Sequence, residues 1–194
     1  MSKSDPSSTK KQNRAMIKWV VTIFLVTIVV SGLITMISDE LMSRSSIAVA
    51  FVILLTIILI GILFDVVGVS VTSADEAPFH AMAARKVPGA KESIRLLRNA
   101  ERVSSICNDV VGDICGVVSG SASAAIAGQI LSKGDFSWPG VLSLLMSALV
   151  AGLTVGGKAI GKTFAVNSST AIVFAVGRFL HGINNIPQLL RKKK

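Results

Sequence analysis

The sequence predicts an all-α integral membrane protein with about four transmembrane helices, an amphipathic helical hairpin and a juxtamembrane helix. Hydrophobic residues make up 51% of the 194 residues, and only 16% of the residues are charged. The mean hydropathy is +0.67. A soluble domain of this composition would expose much apolar surface to water, whereas lipid solvates such a surface. The apolar residues also fall into several long runs, as expected for helices that cross a bilayer.

The N-terminal part of the chain predicts a tail followed by two spans. Residues 1–14 are rich in Ser and Lys, which predicts a disordered, basic tail. Residues 15–46 are predicted to contain a first span over 17–37, followed by a loop on the outer side of the membrane. This apolar run is too long for a signal peptide, and no small-residue cleavage site follows it. A second span is predicted over 47–71, where Asp65 interrupts the apolar residues.

The remainder of the chain predicts a surface hairpin and two further spans. Basic and apolar residues alternate over 79–102, which predicts two short amphipathic helices, broken at Pro88-Gly89, on the membrane surface. A Gly-, Ala- and Ser-rich third span is predicted next, followed by a fourth span and a final helical segment. The chain ends in the basic residues 191–194. The predicted ranges of these three last helices are 103–131, 141–155 and 157–190.

The distribution of Lys and Arg predicts how the chain is oriented. Three segments hold 18 of the 20 basic residues, and the two remaining loops hold only Arg44 and Lys133. Because basic loops stay on the cytoplasmic side, we expect a multi-pass protein of the cell membrane with both termini in the cytoplasm. An anionic membrane face accounts for the net charge of +9. The three basic segments are 1–18, 75–102 and 157–194.

The third predicted span carries a regular stripe of small and polar residues. A spacing of four residues places them on one face of a helix, which favours close helix packing. Asp109 and Asp113 follow the same spacing beside this stripe. Carboxylates inside a membrane segment usually contact a partner, a cavity or an ion path, so the pair indicates either function or a structural ion pair. The stripe consists of Ser104, Asn108, Gly112, Gly116 and Gly120.

A second group of polar residues lies where the second span ends. Hydroxyl and carboxylate oxygens are the ligands that Mg²⁺ and Ca²⁺ prefer. The alternative is an ordinary helix end, because Ser73 and Glu76 also fit a capping box. The spacing alone favours this second interpretation. The group comprises Asp65, Ser70, Thr72, Ser73, Asp75 and Glu76.

Several functional classes are disfavoured by the sequence. Tyr is absent and aromatic residues make up 5%, which leaves few side chains for stacking on nucleic acid. His80 and His181 lack the ligand spacing of a zinc site. One phosphate-loop pattern starts at Gly156, but a membrane span precedes it in place of a buried strand. The sequence also shows no nucleophile paired with a base, which is the pattern that would indicate an enzyme.

Three short segments follow one another in an order typical of a known family. They are 73–76 (Ser-Ala-Asp-Glu) with the basic hairpin after it, 106–109 (Ile-Cys-Asn-Asp), and 157–165 (Gly-Lys-Ala-Ile-Gly-Lys-Thr-Phe-Ala). They resemble the Ser-x-x-Glu, Ile-Gly-Asn-Asn and Gly-Glu-x-x-Pro-Lys-Thr-x-Ala motifs of the cyclin M/CorC family of magnesium transporters. The resemblance covers the transmembrane domain of that family, over residues 47–190.

This resemblance implies a homodimer with a belt of juxtamembrane helices and a Mg²⁺ site between the second and third spans. The family's carboxylate in the last motif is Lys158 here, and an ammonium group beside a divalent ion would repel it. The site is therefore either rebuilt around the nearby aspartates, or Lys158 takes the place of the ion. The metal ligands that we predict are Ser70, Ser73, Asn108, Asp109 and Asp113.

Two functional hypotheses follow. The leading one is a small, homodimeric Mg²⁺ transport protein. The competing one is a transport-inactive relative that acts as a structural or regulatory membrane subunit, with Lys158 paired to Asp109, Asp113 or Asp75. The chain leaves no room for the cytosolic domains of the family. The partners that we predict are therefore the lipid bilayer and a separate regulatory subunit. We do not expect the protein to bind nucleic acid.

Overall fold

The chain is built from helices. The computed structural model describes residues 6–43, 45–134 and 138–191, and the side chains of 16–42, 45–134 and 138–184. All regular elements in these ranges are helical, which confirms the predicted all-α class. Within the same ranges, four helices are long and apolar enough to cross a membrane, as the apolar runs predict.

The helices follow one another with short connections. Within the described residues, α5, a π-helical segment and α6 continue one another and form the third candidate span. The helix α1 begins inside the segment predicted to be a tail, and residues 1–5 and 192–194 of the predicted basic ends lie outside the described ranges. In chain order the elements are α1 Pro6–Ser43, α2 Ile47–Ser73, α3 Ala77–Ala84, α4 Ala90–Arg98, α5 Ala100–Ser104, π-helix Ser105–Gly112, α6 Asp113–Leu131, α7 Pro139–Asn167 and α8 Ser169–Arg191.

The break between α3 and α4 falls at the predicted Pro88-Gly89. Gly89 has a φ of +92° and immediately precedes α4. A side chain at this position would be strained by the backbone conformation. It would also meet the backbone of Arg178 in α8, because a Cβ built on Gly89 lies 2.7 Å from the Arg178 Cα atom. The glycine therefore permits both the turn and the close approach of α8.

The predicted end of the fourth span near residue 155 is wrong. The helix α7 continues through Gly156 and Gly157 to Asn167. Gly161 also lies in this helix, where a Cβ would come within 2.8 Å of Val66 Cγ2 in α2. Glycines lower helix propensity, but Gly157 and Gly161 allow α2 and α7 to pack closely, and that packing compensates for the lower propensity.

The helices α2 and α7 run parallel with a constant register. Ile62 lies beside Gly157, Val66 lies beside Gly161, and the Ser70 hydroxyl donates to the carbonyl of Ala165 at 3.3 Å. Towards the other end of the bundle, α2, α6 and α7 share an apolar core. The buried residues of this core include Leu54, Ile58, Ala122, Ile126 and Val150.

The basic segments of the chain meet at one end of the bundle. The guanidinium of Arg102 lies 5.6 Å from the ring centroid of Trp19. The Ser93 hydroxyl in α4 donates to the carbonyl of Val173 in α8 at 3.2 Å. At the opposite end, Gln129 donates to the carbonyl of Met42 at 2.8 Å. The N-terminal part of α1, the α3–α4 hairpin and α8 therefore occupy the same end.

Candidate functional site

A buried carboxylate in α2 contacts two lysines of α7. Asp65 is 3% exposed. Its Oδ1 atom lies 3.9 Å from Lys158 Nζ, and its Oδ2 atom lies 3.9 Å from Lys162 Nζ. The parallel register of α2 and α7 places Asp65 between these lysines, which are one helical turn apart. Their side chains differ in environment, because Lys158 is 21% exposed and Lys162 is 55% exposed.

The lysine that lies deeper also contacts the third span. Lys158 Nζ donates to the carbonyl oxygen of Gly112 at 3.4 Å. Gly112 is the last residue of the π-helix, and a Cβ there would lie 3.2 Å from the same ammonium. Short π-helical turns inside α-helices are rare and are frequent at functional sites. The ammonium of Lys158 thus joins α2, α7 and the third span.

An amide side chain completes the cluster. Asn108 in the π-helix packs against Gly68 in α2, where a side chain would collide with its amide oxygen. Asn108 Nδ2 donates to the Ser104 hydroxyl at 3.1 Å. Within the described residues, Asn108 Oδ1 and Asp65 Oδ2 are buried and accept no hydrogen bond. Such atoms call for a donor or a cation, because leaving them unsatisfied costs about 1–3 kcal/mol each.

The structure distributes the five predicted metal ligands over different environments. Asn108 lies in the cluster, whereas Ser70 is buried one turn away and donates to the carbonyls of Val66 and Ala165. Ser73, Asp109 and Asp113 are exposed. Asp109 Oδ2 accepts a hydrogen bond from Ser105 at 2.9 Å.

In the part of the chain that the structure describes, no three His, Cys, Asp or Glu side chains converge on a point. This observation does not test a site built from hydroxyl, amide and backbone oxygens. The Mg²⁺ site therefore stays a prediction.

Lys158 has a different partner from those expected. We predicted Asp109, Asp113 or Asp75, but the structure pairs Lys158 with Asp65. The sequence does contain a signal for this pair, since Asp65 is the single carboxylate within the apolar second span. Sequence reasoning did not anticipate Lys162 as a second cation or the carbonyl of Gly112 as an acceptor.

The phosphate-loop pattern lies inside a helix. Gly156 to Thr163 belong to the uninterrupted α7, so their backbone N–H groups are engaged in the helix. A phosphate-binding loop needs free N–H groups that surround the anion. This segment therefore does not form such a loop.

A second ionic contact holds α8 against the hairpin. Glu92 Oε1 lies 2.8 Å from His181 Nδ1. Burial raises the pKa of Glu92, but the hydrogen bond with His181, a backbone hydrogen bond and the charges of His181 and Lys91 together outweigh burial and hold that pKa below its usual value. A carboxylate with a lowered pKa stabilises the fold above its unfolded pKa, and this contribution is lost as the pH falls through the folded pKa.

We therefore expect Glu92→Gln to lower the melting temperature by about 1–2 °C at pH 6, the size of a partly exposed ion pair. At a pH below the folded pKa of Glu92, the two proteins should melt together. Melting curves of both proteins in detergent micelles from pH 6 to pH 3 measure this difference. A difference that stays constant over this pH range would contradict the role of the charged pair.

The fold and this cluster define the class of the protein. The described part of the chain has four helices that are apolar enough for a multi-pass membrane protein, with a buried carboxylate, two lysines and a half-buried amide where α2, the π-helix and α7 meet. No family model, no curated protein and no solved structure matches the chain.

Proposed function

We propose that this protein is a transport-inactive membrane subunit with a structural or regulatory role, in which Lys158 stands where a transported cation would bind. The proposal rests on one observation, the position of the Lys158 ammonium 3.9 Å from Asp65 and 3.4 Å from the carbonyl of Gly112. Buried oxygens at membrane depth require a cation, and a tethered ammonium supplies that charge without leaving.

The resemblance to cyclin M/CorC transporters supports interpreting Lys158 as a replacement for the transported ion. In the matching motif, Lys158 occupies the position of the family's carboxylate. A lysine there both removes a metal ligand and adds a charge that repels a divalent ion. The same resemblance suggests a homodimer, and the distribution of Lys and Arg favours a cytoplasmic location for the basic end of the bundle and both termini. The α3–α4 hairpin and α8 would then lie at the inner membrane surface.

A second function is favoured by a different observation. Asn108 Oδ1 and Asp65 Oδ2 accept no hydrogen bond in the described structure, and both are oxygen atoms of the kind that Mg²⁺ prefers. A small Mg²⁺ transport protein would use these atoms after Lys158 and Lys162 have moved away from Asp65. Asp109 and Asp113 would then line the ion path from the exposed side of the third span.

Thermal unfolding in the presence of Mg²⁺ separates the two functions. We expect millimolar Mg²⁺ to leave the melting temperature of the purified protein unchanged relative to NaCl of equal ionic strength. A ligand that binds only the folded state would raise that temperature. We also expect Lys158→Glu, which restores the carboxylate of the family, either to create Mg²⁺-dependent stabilisation or to weaken the fold.

A clear rise for the unmodified protein would overturn the inactive-subunit proposal and support transport. In that case, Mg²⁺ flux into proteoliposomes should fall in Asn108→Ala and Asp113→Ala. Equal flux in both variants and in the unmodified protein would remove the transport function at this site as well.

A further inference from the structure

We propose that Arg98 and Arg102 form a binding site for the phosphate group of an anionic phospholipid. The site lies at the corner between α4, which ends at Arg98, and α5, which begins at Ala100. Both arginine side chains are exposed there. The corner borders a cavity of about 490 Å³, open at the surface, that is lined by Leu97, Arg98, Asn99, Ala100, Glu101 and Arg102.

The depth of this corner matches that of lipid headgroups. Arg102 makes a cation–π contact with Trp19, which lies near the basic end of the first candidate span. At 1.5 Å per residue, Trp19 is about 35 Å from Met42 along α1, slightly more than the hydrocarbon thickness of about 30 Å. Tryptophan is also enriched at membrane interfaces. When α1 spans a bilayer, the cavity therefore lies where phosphate groups are found.

The two guanidinium groups keep donors available for a phosphate. Arg102 lies over the face of the Trp19 ring, so the N–H groups at the edge of its guanidinium remain available. Arg98 Nε lies 3.9 Å from Glu76 Oε1, which is longer than a hydrogen bond. Arginine forks bind phosphate oxygens in pairs and are well suited to this role.

The charge of the segment favours an anionic headgroup. Residues 95–102 contain three arginines, including Arg95, and a single carboxylate, Glu101. This positive excess attracts lipids with a net negative charge over zwitterionic lipids, whose ammonium group would be repelled. The occupant that we infer is therefore an anionic phospholipid such as phosphatidylglycerol. This inference is independent of whether the protein transports an ion.

Native mass spectrometry of the full-length protein in detergent, titrated with phosphatidylglycerol or phosphatidylcholine, tests the proposal. We expect the unmodified protein to bind phosphatidylglycerol about tenfold more tightly than phosphatidylcholine, which is the gain in affinity that one charge-assisted hydrogen bond gives. The Arg98→Gln/Arg102→Gln variant should lose this preference. The control is Arg85→Gln/Lys91→Gln, which removes the same charge from exposed residues outside the cavity. The preference of this control variant for phosphatidylglycerol should differ from that of the unmodified protein by less than about threefold, because these residues act on the lipid only through their charge and without direct contact.

Three results would overturn the proposal. They are equal affinity of the unmodified protein for both lipids, an equal loss in the two double variants, and displacement of phosphatidylglycerol by inorganic phosphate at similar concentrations. The last would indicate a site for soluble anions. Because the Arg102→Gln change removes the cation–π contact with Trp19, the single variant Arg98→Gln serves as a second measurement. It should lose part of the preference while its melting temperature is unchanged.

Discussion

Replacing Lys158 with Met is expected to lower the free energy of unfolding by about 3 kcal/mol. Breaking a buried ion pair from one side leaves the other charge uncompensated, which typically costs about 3–5 kcal/mol. The value expected here is at the low end because Lys162 remains 3.9 Å from Asp65. The corresponding fall in melting temperature is about 6–12 °C for a chain of this length. Thermal unfolding in detergent micelles measures it.

Lys162 provides a matched control for this prediction. It is the same residue type on the same helix and at the same distance from Asp65, but its side chain is 55% exposed. Lys162→Met should therefore cost less than about 1 kcal/mol, as exposed ion pairs do. The double variant Asp65→Leu/Lys158→Met removes both charges and should recover much of the loss. Equal losses for the two lysine variants would show that Lys158 has no special role in the cluster.

The second large effect is expected at Gly177 in α8. A Cβ at this position would overlap the Ser93 hydroxyl and would lie 2.7 Å from the carbonyl oxygen of Gly89. Two helices meet there through their backbones, so the neighbouring atoms cannot all move aside. We expect Gly177→Ala to destabilise the protein by about 2 kcal/mol, in the range of overpacked sites, and to loosen α8 from α4.

Gly182 offers the control, since it lies on the same helix and, among the described residues, no neighbouring atom lies within 4 Å of a built Cβ. Gly182→Ala should stabilise the protein by up to about 1 kcal/mol, because alanine has the higher helix propensity. The two identical substitutions are thus expected to have opposite signs. Melting curves give the signs, and hydrogen exchange over residues 169–184 locates the loosening. Stabilisation by both substitutions would contradict the close packing of α8 on α4.

These two predictions concern separate parts of the molecule. The Lys158 cluster joins α2, the π-helix and α7, whereas Gly177 joins the hairpin to α8. Because no residue is shared, the effects of Lys158→Met and Gly177→Ala should add within about 0.5 kcal/mol. If α8 were loosened by both substitutions, the cluster would be coupled to the contact between α8 and the α3–α4 hairpin. Such coupling is what a regulatory subunit would require.

The sequence by itself determined the class of the fold, the approximate spans and the hairpin break. Long apolar runs predict segments that are buried or in contact with lipid, and Pro88-Gly89 restricts the backbone conformation at the hairpin break. Both signals are local in the sequence. The sequence did not locate the end of α7, because Gly156 and Gly157 look like a helix break until α2 is known to pack on Gly157. The π-helix was equally invisible, since no local composition distinguishes it.

The tertiary structure decided which charges meet. Helical periodicity places Asp109 and Asp113 on one face of the third span, and Lys158 and Lys162 on one face of α7. It does not predict which helices are neighbours. The parallel register of α2 and α7 brings Lys158 to Asp65, and the approach of the π-helix adds the carbonyl of Gly112. A contact between distant segments depends on packing that no single segment encodes.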